Sequence, residues 1–290
     1  MASEMLLRFR PLLALLFALT LGLTALISPL WANPNPVSIQ DFPQVQTAPL
    51  EPLSSAPATP SDLPNLVSPL GSLTLARNSI RQQVILAHPT NFGFRFTQDV
   101  YGRTVHNAPL VVLHETVGSG AGAINMFRSP QPDETRQASY HALILRDGTI
   151  VYLVDPRMRA FGAGNSVFMG PNGPEAVKTH PRFPASVNNF AYHISLETPP
   201  DGNNNARSHS GYTQAQYQSL SLLAACTRVA ANRITTHKAV DRSGSRMDPR
   251  SFNESLFRNW TQTIAQNQGI MDACAANPWT QPVVPGNPAA

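Results

Sequence analysis

Proline decides where this chain can fold. Nine prolines fall between Pro34 and Pro69, interspersed with Ser, Thr, Ala and Asn. Such a stretch cannot bury enough apolar surface to fold, and it extends as a semi-rigid spacer. Residues 33–79 are therefore read as a disordered linker. Four more prolines lie between Asn277 and Ala290, and that end reads the same way. The only stretch left for a core is 80–268, with 269–290 as a C-terminal tail. It is long enough for one well-buried domain, and it contains no internal repeat.

Ahead of the linker, Arg8 and Arg10 precede an apolar run over 12–27 and a small-residue boundary at Ala32. This reads as a secretory signal over residues 1–32. The alternative is an uncleaved membrane anchor, because the run is nearly long enough to span a bilayer. Either way the protein is expected to be exported, to the periplasm, the cell wall or beyond. Removing the leader takes away Arg8, Arg10 and Glu4 and lowers the formal charge from +4 to +3. A mildly basic protein suits an acidic polymer. No dense Lys/Arg cluster carries interleaved aromatics, so nucleic acid is not an expected partner. A monomer is expected. Cys226 and Cys274 are the two cysteines, and in an exported protein a lone pair is expected to be bonded. That bond would contribute roughly 4 kcal/mol on the chain-entropy model and pin the tail to a helix.

Within the domain, strand and helix signals alternate. Residues 110–113 (Leu-Val-Val-Leu) form a continuous apolar run, the mark of a buried central strand. A short helix follows over 120–128, with Ile124 and Phe127 three apart. Two β-rich runs, 139–145 and 149–154, are joined by Arg146-Asp147-Gly148, a hairpin signal. Another strand spans 190–197, with Ala191, His193, Ser195 and Glu197 on one side. Thr213 and Gln216 make a capping box opening a helix to about Ala231, and Ser251 with Glu254 suggests a second. The fold class is therefore mixed α/β, a central mixed sheet flanked by helices.

His114 sits where the central strand empties into a glycine-rich loop. His237 and Asp248 bracket one polar loop. Two imidazoles and a carboxylate can hold a zinc ion and leave its fourth position open, which a hydrolytic metal needs. His88, His106, His180 and His209 read as surface residues. His141 and His193, on strands beside the proposed site, read as supporting or groove residues. The proline- and glycine-rich insert over 168–189 is expected to border a substrate groove.

Six pieces, in order, resemble the type 2 N-acetylmuramoyl-L-alanine amidases, whose fold is shared with peptidoglycan recognition proteins. They are Val111-Val-Leu-His114-Glu-Thr, the hairpin from Ala138 to Ile150, Arg159-Ala-Phe-Gly-Ala-Gly164, Ile194-Ser-Leu-Glu197, Tyr212-Thr-Gln-Ala-Gln-Tyr217, and the loop from Thr236-His237 to Asp248-Pro249. The resemblance implies Zn2+ held by His114, His237 and Asp248. It further implies Glu197 as a proton carrier, Tyr140 as a group near the metal, and Arg246 where many members have lysine. Gly162 stands where many members carry histidine, which implies a lost contact there.

The implied activity is zinc-dependent hydrolysis of the amide between N-acetylmuramic acid and L-alanine in peptidoglycan, with muropeptide as substrate. The alternatives are a peptidoglycan-binding module without catalysis and, less directly, a zinc peptidase acting on the stem.

Overall fold

The computed structural model describes residues 80–281. The expected leader and proline linker lie outside them. No helix among the described residues is long and apolar enough to cross a membrane.

Ten strands form in chain order: β1 (Gln82–Val84), β2 (Phe92–Phe94), β3 (Leu110–Glu115), β4 (Ala142–Ile144), β5 (Ile150–Tyr152), β6 (Met158–Ala160), β7 (Phe168–Gly170), β8 (Gly173–Glu175), β9 (Ala191–Leu196) and β10 (Ile234–Thr236). The helices are α1 (Gly120–Arg128), α2 (Gln214–Cys226), α3 (His237–Val240), α4 (Glu254–Ala265) and α5 (Gln268–Ala275). Six strands make one sheet, ordered β1-β5-β4-β9-β3-β10. Strands β4, β9, β3 and β10 run parallel. The antiparallel β4–β5 pair makes the sheet mixed. Pairs β2–β6 and β7–β8 stand apart from it.

Every residue of β3 and of β9 is buried, as expected of parallel strands covered on both faces. Side-chain alternation divides their work. Val111 and Leu113 on β3, with Tyr192, Ile194 and Leu196 on β9, pack under Tyr217, Leu220, Leu223 and Ala224 of α2 and Phe257 of α4. The other parity, His114 on β3 with His193 and Ser195 on β9, faces the functional side. Truncating a core residue such as Leu113 to alanine costs about 2–5 kcal/mol.

Local chemistry sets the element ends. Gly148, at φ 85, closes the β4–β5 turn, with its N–H on Leu145 O at 2.9 Å and Leu145 N–H on Thr149 O at 2.9 Å. A glycine takes that left-handed conformation without steric cost. The Thr213–Gln216 capping box is present in full. Two expected helix boundaries differ. Helix α2 stops at Cys226 instead of Ala231 because Arg228 enters the left-handed region at φ 55, which cannot continue a helix. The cap of α4 is Asn253, which accepts the Leu256 N–H at 3.0 Å. Ser251 instead takes φ 51, and its hydroxyl accepts the His209 N–H at 2.9 Å.

Cys226 and Cys274 are disulfide-bonded across a sequence separation of 48, with Cα atoms 5.1 Å apart. The start of the expected tail is folded. Ile270 and Cys274 of α5 pack on Leu222 and Ile264. Trp279 stacks on Tyr152 with ring centroids 5.5 Å apart, and its carbonyl accepts the Tyr192 hydroxyl at 2.6 Å. The proline count of this end concealed one aromatic anchor, and Trp279 secures the segment.

Candidate metal centre and cleft

The parallel strands β9, β3 and β10 deliver their C-terminal ends to one place, where open α/β sheets usually build sites. His114 is next to last on β3. His237 follows β10 directly and opens α3, with Thr236 as its cap. Asp248 arrives through a loop organised by Asp241, whose carboxylate accepts N–H groups of Ser243, Ser245 and Arg246 at 3.0, 3.0 and 3.2 Å. Lys238 N–H then bonds Asp248 O at 3.0 Å.

The three side chains converge. His237 Nδ1 lies 3.1 Å from Asp248 Oδ2, and His114 Nδ1 lies 3.4 Å from the same oxygen. One ligand atom from each falls within 4.8 Å of the others. All three residues are buried. A tetrahedral zinc with bonds of about 2.0–2.1 Å separates its ligand atoms by roughly 3.3 Å, so this set fits that ion. His114 Nδ1 is buried without a hydrogen-bond partner, which is the state of a donor atom reserved for a metal.

The electrostatics agree with ligation. Burial pushes the His114 imidazole down to about 4, against the pull of the facing Asp248 carboxylate, which favours its charged form. The ring is therefore neutral near pH 7, as a ligand must be. Burial raises the Asp248 carboxyl, but the facing imidazoles of His114 and His237 outweigh it and hold the group well below the usual carboxylate range.

His237 and Asp248 line a cleft of about 1000 Å3, with His114 buried behind them. Its lining includes Tyr140, Arg159, Phe161, His180, Phe183 and Arg246. The insert over 168–189 thus borders the cleft as expected. Tyr140 stacks on His114 with centroids 4.6 Å apart. Burial, then the Asp248 charge, raises its phenol far above the ordinary tyrosine value, so it is a hydrogen-bond donor at any physiological pH. Arg246 is exposed on the cleft wall, and its charge reaches both His114 and Tyr140.

Glu197 is placed elsewhere. Its carboxylate accepts Gly120 N–H at 2.7 Å, at the start of α1, and Arg146 N–H at 2.9 Å, in the hairpin turn. It does not line the cleft. Strand alternation predicts its side of β9 correctly, but the strand stops at Leu196, and a helix N-terminus captures the carboxylate.

The site also rests on residues that carry no motif of their own. Glu115, beside His114, is buried and accepts Tyr212 OH at 2.6 Å, His209 at 2.9 Å, Arg250 N–H at 3.3 Å and the Arg250 guanidinium. Arg250 also donates to the carbonyls of Gly202, Asn204 and Ala206 at 2.6, 2.8 and 2.7 Å. His209, expected at the surface, has a fully buried side chain because it serves Glu115. A glutamate inside a wholly apolar strand must find partners; that signal was legible, but the partners' identity was not.

A buried His2Asp set opening on a broad cleft defines a hydrolase-type centre. A family profile described as N-acetylmuramoyl-L-alanine amidase matches residues 104–251, just over half of the chain. The chain belongs to that family and is a hydrolase of an amide bond. Among curated proteins, none matches significantly. Among solved structures, a selenomethionine derivative of AmpD is 25% identical, covers 62% of this chain and 93% of its own, and superposes with TM-score 0.44. AmpD of Citrobacter freundii is 25% identical, covering 65% and 94%, at 0.39. AmpDh3 of Pseudomonas aeruginosa, solved with anhydromuramic pentapeptide, is 18% identical, covering 57% and 66%, at 0.40.

Proposed function

We propose that this protein is a zinc-dependent amidase that cleaves the bond between N-acetylmuramic acid and L-alanine in peptidoglycan fragments or wall. The observation that carries the reading is the convergence of His114, His237 and Asp248 on one ligand-sized space, beside the cleft that His237 and Asp248 line. The family membership supports the bond class. The anhydromuramic pentapeptide held by AmpDh3 supports a muropeptide as the occupant.

A zinc ion in that space would supply Lewis acidity and lower the pKa of a coordinated water to about 7. His114 and His237 contribute neutral imidazoles, and Asp248 contributes the single negative charge. Tyr140, always protonated, donates a hydrogen bond toward the oxygen of the attacked carbonyl as charge develops there. Arg246 adds positive charge from the cleft wall. Glu197 acts at one remove, holding the start of α1 and the hairpin turn, so the role of proton carrier is not carried forward for it.

Export is part of the same proposal. Action on the wall itself requires export, and the N-terminal apolar segment offers the route. The test is mass spectrometry of digested wall with and without chelator. Free stem peptides are expected, dependent on zinc and lost in His114→Ala. Release of disaccharides, or cleavage within the stem, overturns the bond assignment. Wall binding by metal-free protein without any cleavage would favour a recognition module.

A further inference from the structure

An imidazole that binds a metal through one nitrogen keeps its aim only if the other nitrogen is held. For His114 the holder is a second histidine. His114 Nε2 and His193 Nδ1 lie 2.9 Å apart, and both residues are fully buried. The pairing of β3 with β9 sets Val112 opposite His193 and His114 opposite Ser195, so the two rings rise from the same side of the sheet, two residues apart in register.

One of the two facing nitrogens carries the hydrogen. His114 Nδ1 is the atom turned to Asp248, at 3.4 Å, and it has no hydrogen-bond partner. A neutral ring whose Nδ1 is a ligand is protonated at Nε2. His114 therefore donates and His193 accepts. His193 Nε2 then bears the other hydrogen, yet it is buried with no partner among the described residues. A buried donor left unpaired is costly, and the cost is tolerable where the opposite nitrogen performs a task.

Two neighbours fit the ring to that task. A Cβ on Gly162 would stand 2.6 Å from His193 Cγ and Nδ1, closer than side-chain carbons approach, so glycine is required there while the imidazole keeps its place. His141 stacks on the ring with an interplanar angle of 12°, and its Nδ1 accepts the His193 backbone N–H at 2.9 Å.

We propose that His193 is the positioning residue of the metal centre, fixing the tautomer and aim of His114, and that Gly162 exists to admit it. This rests on the zinc reading above.

The experiment is zinc affinity of the full-length chain, measured by competition with a chromogenic chelator, together with circular dichroism. His193→Leu keeps the volume and removes the acceptor, and is expected to weaken zinc on the order of 10- to 100-fold. His193→Asn places an amide oxygen near the former Nδ1 and stays within about 3-fold of the parent, by the same reasoning. His193→Gln puts its polar atoms beyond that point and behaves like leucine. Gly162→Ala displaces the ring and also weakens zinc. Its combination with His193→Leu loses no more than the worse single change. Equal zinc affinity in the leucine variant and the parent overturns the proposal. If leucine prevents folding, the asparagine–glutamine comparison decides, and glutamine binding as tightly as asparagine overturns it. A parent chain that binds no zinc rejects the zinc reading itself, and this inference with it.

Discussion

Replacing Glu115 by glutamine tests how the segments carrying His114 and Asp248 are held together. Glu115 follows His114 on β3, and Arg250 lies two residues beyond Asp248. Their side chains are paired with only 1% and 2% of their surfaces exposed. Arg250 also reaches three carbonyls of the segment over 202–206. Glu115→Gln keeps the shape and removes the charge, leaving a guanidinium buried without its counter-ion. Breaking a buried pair in this way costs about 3–5 kcal/mol. A domain of this size loses about 2–4 °C per kcal/mol, so Tm is expected to fall by roughly 6–20 °C. The assay is thermal unfolding followed by circular dichroism in chelator, which removes any contribution from bound metal. The control is Glu254→Gln, which breaks the Glu254–Arg258 pair, with side chains 61% and 46% exposed. Such a surface pair is worth about 0–1 kcal/mol. If Glu115→Gln loses no more Tm than the control, the clamp does not exist as described.

Two further outcomes follow from the same geometry. In chelator, stability should drop as pH falls from about 6.5 toward 4. Burial holds His114 down at about 4 and His141 and His193 well below the usual histidine value, so the unfolded chain takes up protons first. His114 alone contributes roughly 3 kcal/mol across that window. A Tm unchanged between pH 7 and pH 5 would contradict this. Converting Cys226 and Cys274 together to serine should cost about 4 kcal/mol for the loop they close and expose α5 to limited proteolysis, while α2 and α4 stay protected. A loss below about 1 kcal/mol would assign the attachment of α5 to Ile270 and Trp279 instead.

Much of this protein is legible from its residues. The apolar run over 110–113, the Asp-Gly hairpin and the Thr213–Gln216 box are local patterns with local causes, and each forms as the pattern predicts; the Cys226–Cys274 bond, expected from cysteine count alone, forms as well. The cap at Asn253 was misplaced by two residues because Ser251 and Asn253 are near-equal caps, and only the tertiary demand of His209 on Ser251 separates them. Glu197 shows the limit more sharply. Alternation gives its side of the strand, but the nearby start of α1, a feature of tertiary packing, determines what its carboxylate touches.

The sequence by itself supplied the candidate ligand types and the strand that carries the first of them. It did not bring them together. That depends on the parallel pairing of β3 with β10, where Thr236 sits opposite Leu113. His237, the residue after Thr236, lies beside His114 with ring centroids 4.6 Å apart, although the chain between them is long. On the other flank, the register of β9 brings His193 up behind His114. Register is a property of the assembled sheet, fixed by which face is buried, and no single strand encodes it.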